Sequence, residues 1–393
     1  MSWSPSRSRE DYPGPFRAWH LPQNFVLKED EVSGVMGEPG RTFTYPSLSQ
    51  ERTAELLAVL REAREKGLAC LPVHRVVEAV DRVARRFLDS SDGLRRVALQ
   101  AMAAHGGYSP PMAEAVLDGM ARGWTAYSLN GLLESEFRDP GVLDGFKPAA
   151  RGQAAKGRKG RALGYPLTFH LGAGTVPGVS TTSVIRALLV KSAVFLKPGL
   201  GDMALPVIFA GALAEDDPEL AASLAVAYWP SEDASRTEGV LAEADLVAAY
   251  GSNETIRWIR GRLPARTILR AYRHRLGVAM IGRGALQGEA AVAVAKDLAR
   301  AVALFDQRGC VSPHVVFLER GGEVEPEAWA KLLAGTFSDL EGDLPSGEVS
   351  PEEAVDLQQF RGSAELREGL GDGVVFHGGD GAPWTVAVQE RGP

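Results

Sequence analysis

Helical periodicity dominates the chain from residue 50 to about residue 135. In "ERTAELLAVLREAREKG", "VHRVVEAVDRVARRFLD" and "DGLRRVALQAMAAHGG" apolar residues recur at i, i+3, i+4 and i+7, the spacing that lines one face of a helix. Gly, Pro and a Ser-Ser-Asp-Gly break separate these helices. Cys70, in "GLACLPVH" at the end of the first, reads as a small buried apolar residue. Residues 1 to about 48 are rich in Pro, Gly and charge and predict an irregular or β-hairpin lead-in.

From about residue 163 the period shortens. "AVFLK", "LAVAYWP", "DLVAAYG", "TILRAYRHR" and "GVAMIG" are short apolar runs, and the helical stretches "DMALPVIFAGALAE", "DASRTEGVLAEA" and "NETIRWIRGRL" lie among them. Strands alternating with helices of this length predict βαβ units and a parallel sheet, with ligands at the carboxyl ends of its strands. A long helix, "LQGEAAVAVAKDLARAVALFDQ", then leads straight to Cys310 and the strand "HVVFLE", followed by an acidic helical region and "GVVFHGG" and "WTVAVQERGP". No internal repeat is visible.

Composition adds limits rather than detail. At 393 residues the chain exceeds one compact core, so two domains are expected. Hydrophobic content of 45% with 24% charged residues excludes a wholly disordered chain. A net charge of -7 argues against a nucleic-acid-binding protein. The basic run "RGQAAKGRKGR" (151–161) reads as a solvated loop or as a docking patch for a phosphorylated ligand or an acidic carrier protein. No apolar run approaches the length of a membrane span, and "MSWSPSRSREDYPGPF" lacks the apolar core of a signal peptide. Two cysteines make no disulfide framework, and no Cys or His lies at metal-ligand spacing from Cys310. A reducing cytoplasm and no bound metal are the expectations.

Four stretches bear on chemistry. "VAAYGSNETIRWI" places Gly251 and Ser252 between a strand and a helix, where free amides and the helix dipole suit a phosphate and Ser252 caps the helix or donates to an oxygen. "VFLKPGLGD" puts Lys197 at a strand's carboxyl end. "HLGAGTVPGVSTTSVIRALLV" is a Gly-rich turn into a helix, either a plain loop or an active-site wall. In "ALFDQRGCVSPHVVFLE", Cys310 has Arg308 and His314 near it in sequence to favour a thiolate, and Pro313 holds Ser312 out of helix. The residues themselves leave Cys310 open between nucleophile and packing residue.

Taken together and in order, "GAGTVPGVS", "VFLKPG", "VAAYGSNETIR" and "DQRGCVSPHVVF" resemble the aldehyde dehydrogenase superfamily, and within it the acyl-CoA reductase branch of the bacterial bioluminescence type. The match runs from about Gly164 to Glu319, with the Cys and Gly-Ser segments its specific parts. The resemblance implies a Rossmann-type parallel-sheet cofactor domain, placed at 1–284 with its N-terminal helical region, and a second α/β catalytic domain at 285–393. It implies Cys310 as the acyl-accepting nucleophile, Lys197 at the adenosine ribose or its phosphate, and Gly251 and Ser252 at the cofactor phosphates. The expected reaction is reduction of an acyl-CoA or acyl-carrier thioester to an aldehyde through a thioester on Cys310.

The departures from the family pattern are specific. Thr175 stands where an asparagine commonly donates to the oxyanion. The glutamate that hydrolytic members use to activate water is missing from "YRHRLGVAMIGRG", which suits a reductase. Leu200 lies near the place of an acid that would favour a free ribose 2′-hydroxyl, so NADPH is expected, with NADH the other candidate. The segment after Cys310 is short for the remainder of a catalytic domain, so a trimmed C-terminal part is expected. A homo-oligomer or multienzyme complex is the expected setting. The alternative is a non-catalytic member acting as a binding or scaffold subunit.

Overall fold

In a computed structural model, residues 15–148, 156–378 and 382–389 are described. The chain divides into two compact units. The first comprises 1–106 and 116–274, the second 107–115 and 275–393.

The lead-in folds back on itself as an irregular antiparallel hairpin: Val32 bridges Pro46, and Met36 and Phe43 exchange backbone hydrogen bonds at 2.8 and 2.9 Å. β1 (Phe16–Arg17) pairs in parallel with β3 (Phe43–Thr44), and β2 (Trp19–His20) pairs antiparallel with Val226 and Ala227 of the main sheet. Five helices follow: α1 (Gln50–Ala63), α2 (Val73–Leu88), α3 (Gly93–Gly106), α4 (Pro110–Gly123) and α5 (Ala126–Glu136). Ser49 caps α1, its Oγ accepting from the Arg52 amide. In α2 the buried stripe is Val73, Val76, Val77, Val80, Val83, Ala84 and Phe87, the face that the periodicity predicts. Cys70 is exposed rather than buried. Leu68 and Leu71 take the inward positions of the turn, and Cys70 points out. β4 (Lys147–Pro148) and β5 (Lys159–Gly160) form a small antiparallel pair. Residues 151–155 of the basic run lie outside the described residues.

The main sheet then builds from β6 (Leu167–Leu171), β7 (Ala193–Lys197), β8 (Leu224–Ala227), β9 (Leu246–Gly251) and β10 (Ile268–Arg273), in the order β10-β9-β6-β7-β8-β2. The first five are mutually parallel. The connections are α6 (Val179–Leu189), then α7 (Ala204–Asp216) with α8 (Pro218–Ala221), then α9 (Ala234–Glu243), then α10 (Asn253–Arg260). Central parallel strands are covered on both faces, so β7 and β8 read as continuous apolar runs. One face packs Phe169, Phe195, Ala227, Val247 and Ala249 against α1, α9 and α10 around Trp229. Trp229 stacks on Phe169 with centroids 6.2 Å apart. The chain runs outward from β6 through β7 to β8, then returns to the other side of β6 for β9 and β10. That is the doubly wound topology, and its switch point lies between β6 and β9.

In the second unit β11 (Gly277–Ile281) pairs in parallel with β12 (Pro313–Leu318) across α11 (Gly288–Ala303). The expected domain boundary at 284/285 left this strand with the first domain. Pairing of Val278 with Val315 and Met280 with Phe317 instead ties it to β12, so the units divide at His274/Arg275. Helices α12 (Pro326–Asp343) and α13 (Pro351–Gly369) and the hairpin β13 (Val374–His377)–β14 (Thr385–Val388) complete the unit. Its core gathers Leu286, Ala291, Ala295, Trp329 and Leu333, with the Trp329 indole donating to Ala291 O at 3.0 Å. Among the described residues no helix is long and apolar enough to cross a membrane.

Candidate active site

Four of the five expected site residues belong to the first unit, and Cys310 belongs to the second. In the first, β6, β7 and β9 are neighbours, with Leu171 opposite both Lys197 and Ala249. Lys197, the Gly172–Gly178 loop and Gly251-Ser252 therefore converge at one edge, at the carboxyl ends of three adjacent strands. Lys197 and Gly251 alternate onto the same sheet face as Phe195 and Ala249.

Two glycine loops interlock there. A Cβ on Gly199 would lie 2.5 Å from Gly174 Cα, and one on Gly201 would strike Gly174 O. The Gly172 amide donates to Lys197 O at 2.8 Å. This contact needs glycine at 199 and 201 because a side chain there would meet backbone. Thr175 sits exposed at the tip of the first loop, between this contact and the buried Val176-Pro177-Gly178.

The start of α6 is closed by the chain itself. Asp202, 1% exposed, accepts from the amides of Gly178 (3.0 Å) and Ser180 (3.2 Å). Burial pushes its carboxyl up to about 7, against the pull of those donors. The first helix after the central strand, the usual phosphate cradle of such a sheet, thus already holds a carboxylate. The start of α10 is different. Ser252 Oγ accepts from the Thr255 amide at 3.1 Å, and Gly251 and Ser252 themselves are only half-buried.

Lys197 is half-buried, with Nζ 5.6 Å from the Tyr228 ring centroid and 5.5 Å from that of Trp229. Burial lowers its ammonium to about 8, partly opposed by Glu232 and Asp233. Leu200 is exposed, and the acid of the same loop, Asp202, is turned inward onto α6.

In the second unit the helix does not lead straight to the cysteine. It ends at Ala303, and Phe305, Asp306 and Gln307 follow with φ of 63°, 51° and 59°. Three consecutive non-glycine residues in the left-handed region cost about 1–2 kcal/mol each, so the surroundings must hold them. Gln307 Nε2 donates to Pro313 O at 3.0 Å, and Ser312, fully buried, donates from Oγ to Leu304 O at 3.2 Å. The Ser312 amide closes a turn on Gly309 O at 3.0 Å. Cys310 is exposed on that turn. The sequence suggests Arg308 as its positive neighbour. Arg308 is instead held by Glu353 in a two-pronged pair at 2.9 and 3.0 Å and donates to Glu348 O. His314 is exposed on β12. Sequence reasoning missed Asp202 and Glu353. Neither carries a local signal, because each acts on a segment distant in sequence.

Comparison with known proteins bears on the family and the fold. A long-chain acyl-protein thioester reductase of Vibrio harveyi is 24% identical over 267 residues, 67% of this chain and 54% of that one. The corresponding protein of Photobacterium phosphoreum is 23% identical over 251 residues, 63% and 49% of the two chains. This chain therefore spans about half the length of the curated relatives it matches. An aldehyde dehydrogenase of Physcomitrella patens, solved with succinate, superposes with a TM-score of 0.69 at 11% identity, over 95% of this chain and 76% of that one. The NADP-dependent glyceraldehyde-3-phosphate dehydrogenase of Bacillus halodurans, solved with NADP, gives 0.63 at 13% identity over 92% and 73%. The fold is that of the aldehyde dehydrogenases. Residues 68–392 match the acyl-CoA reductase (LuxC) family, and the chain belongs to that family.

Proposed function

We propose that the protein reduces a long-chain acyl thioester to the aldehyde, with Cys310 as acyl acceptor and NADPH as reductant. The observation that carries the reading is Cys310 itself, an exposed thiol on a turn braced from both sides. A packing cysteine has no need of either feature. The residues at the sheet edge fit a nicotinamide dinucleotide. With Asp202 on the α6 amides, the place left for the phosphates is Gly251-Ser252 at the start of α10. Lys197, half-buried and set over two rings, would meet the adenosine ribose and its 2′-phosphate. That loop offers no outward acid to a free ribose hydroxyl, which supports NADPH over NADH.

The chemistry assigned to the chain is covalent. The Cys310 thiolate attacks the acyl carbon, the bond to the leaving thiol breaks, and that thiol departs with a proton. NADPH, when bound, would supply the hydride that the thioester carbon accepts. The thiohemiacetal then loses Cys310 as a thiolate and releases the aldehyde. The Cys310 amide is the proposed donor to the oxyanion of both steps. From Arg266 to Gly284 the sequence holds no glutamate to activate water, which favours reduction over hydrolysis.

The test follows NADPH loss and aldehyde formation together, with acyl-CoA and with an acyl-carrier thioester. One aldehyde per NADPH is expected. Cofactor binding without aldehyde from either thioester would favour a scaffold role.

A further inference from the structure

Residues 345–350 join α12 to α13 without helix or strand, yet the segment is bonded on both sides. On one side Ser109 Oγ donates to Pro345 O at 2.6 Å, and the Glu348 amide donates to Gly107 O at 2.8 Å. A Cβ on Gly347 would lie 2.1 Å from Gly107 O, so backbone meets backbone there. On the other side lie the left-handed residues that precede Cys310. The Gly347 amide donates to Asp306 Oδ1 at 3.3 Å. Arg308 donates to Glu348 O at 3.0 Å and grips Glu353 with both prongs of its guanidinium. Glu353 is itself fixed by a capping box: the Ser350 amide donates to Glu353 Oε2 at 2.8 Å, and the Glu353 amide donates to Ser350 Oγ at 3.2 Å. Stretches 107–109, 304–312 and 345–353 therefore meet at the approach to the Cys310 turn, all within the second unit.

An ion pair this open contributes little to stability, since the Arg308 side chain is 22% exposed and that of Glu353 44%. What a two-pronged pair does fix is direction. With its guanidinium held on α13 and its amide bonded to Phe305 O at 2.9 Å, Arg308 spans the approach to Gly309 and Cys310. Its charge is matched by Glu353, so it lends the thiol geometry rather than field. Backbone strain such as that of Phe305, Asp306 and Gln307 is retained where placement matters. We infer that Arg308 and Glu353 are positioning residues for acyl transfer to Cys310. They hold the turn so that the Cys310 amide points at the oxyanion formed as the acyl carbon bonds to Sγ. The inference rests on the proposed role of Cys310 as acyl acceptor.

Two reagents separate position from reactivity, both used on the full chain. p-Nitrophenyl acetate transfers its acetyl group to the thiolate and releases p-nitrophenolate, so it reads acyl transfer with neither cofactor nor thioester. Iodoacetamide alkylates the thiolate and expels iodide without forming an oxyanion, so it reads the thiol's charge and access alone, with Cys70 as internal reference. The variants are R308K, E353Q and their double, with E352Q as neighbour control and melting curves to confirm folding. R308K keeps the cation and loses the fork. E353Q keeps the capping box, in which glutamine also serves. Wild type should release a burst of about one p-nitrophenolate per chain that is lost in C310S. R308K and E353Q should each slow that burst about tenfold. The double should be slower than either single by no more than about twofold, because the two residues act as one unit. E352Q should stay within about twofold of wild type, as should Cys310 alkylation relative to Cys70 in every variant. In thioester reduction kcat should fall about tenfold with KM little changed.

A wild-type burst in folded R308K and E353Q would overturn the inference. So would a burst and an alkylation rate that fall in step, since the pair would then act on the thiol's charge or access. A burst kept in R308K but lost in E353Q would likewise replace position with charge. If wild type gives no burst at Cys310, both the inference and the acyl-acceptor reading fail. If the burst depends on the fork yet no thioester is reduced, the proposed reaction is refuted and the positioning stands. If R308K and E353Q fail to fold, E353D, which keeps the charge on a shorter arm, decides: an intermediate burst supports the inference and a wild-type burst overturns it.

Discussion

Asp202→Asn is the substitution whose consequence can be worked furthest. The native carboxyl is fully enclosed and accepts two amide hydrogen bonds at the start of α6. Burial raises it from 3.8 to about 7. Folded protein therefore binds a proton that unfolded protein releases, and it does so between those two values. Stability from this group is complete below about pH 3.8 and is lost as pH rises toward about 7. One unit corresponds to about 1.36 kcal/mol, so from about pH 5 to about pH 8 wild type should lose about 3 kcal/mol from Asp202 alone. Asparagine fills the same space and keeps one acceptor but cannot ionise. It should cost about 1 kcal/mol at low pH for the weakened cap and show none of the decline. The assay is thermal unfolding of both proteins from about pH 5 to about pH 8, where a difference of about 3 kcal/mol amounts to about 6–12 °C. The melting temperature of wild type should fall relative to the variant across this range. Parallel curves would refute the placement of Asp202. A wild type that gains on the variant as pH rises would show that the helix start stabilises the carboxylate by more than burial opposes it.

Three further outcomes follow from the same edge of the sheet and its core. His170, buried between Ser183 (2.8 Å) and Thr168 (3.1 Å), has its imidazole lowered by burial to about 4, so stability should drop by about 3 kcal/mol as pH falls from about 6.5 to about 4, and H170Q should flatten that drop. G199A places a methyl group against the Gly174 backbone, which cannot yield as a side chain can; a loss of about 3 kcal/mol and weakened NADPH binding are expected by melting and by titration of cofactor fluorescence. K197M should weaken NADPH about tenfold to a hundredfold and NADH far less, and wild-type affinity for NADPH should decline above about pH 8 as the free ammonium deprotonates; equal losses for both cofactors would remove Lys197 from the 2′-phosphate.

The alternation was legible from β7 onward because β7, β8 and β9 are short apolar runs with helical stretches between them, whereas the central strand β6, "LTFHL", was not among the predicted strands. The Gly-Ser helix start was legible as well, since a cap is written in consecutive residues. What escaped depends on distant contacts. β11 pairs with β12 rather than extending the first sheet, and nothing in "GVAMIG" tells one parallel partner from another. "FDQ" gives no sign of three left-handed residues, since Gln307, Ser312 and the turn at Gly309 fix them together. "LGD" before an apolar helix reads as that helix's own cap, whereas Asp202 closes a helix that begins 23 residues earlier, at Val179. Cys70 and Arg308 show the converse error. Residue type suggested a buried thiol and a free cation, but backbone direction exposes the first and Glu353 takes the second.

The chain holds its own control for the central claim, because Cys70 and Cys310 are both exposed thiols. Intact-mass analysis after incubation with palmitoyl thioester and no cofactor, followed by peptide mapping, should find one acyl group on Cys310. The group should leave on addition of hydroxylamine or NADPH, be absent from C310S and persist in C70S. Acylation that survives in C310S, or that maps to Cys70, would contradict the account.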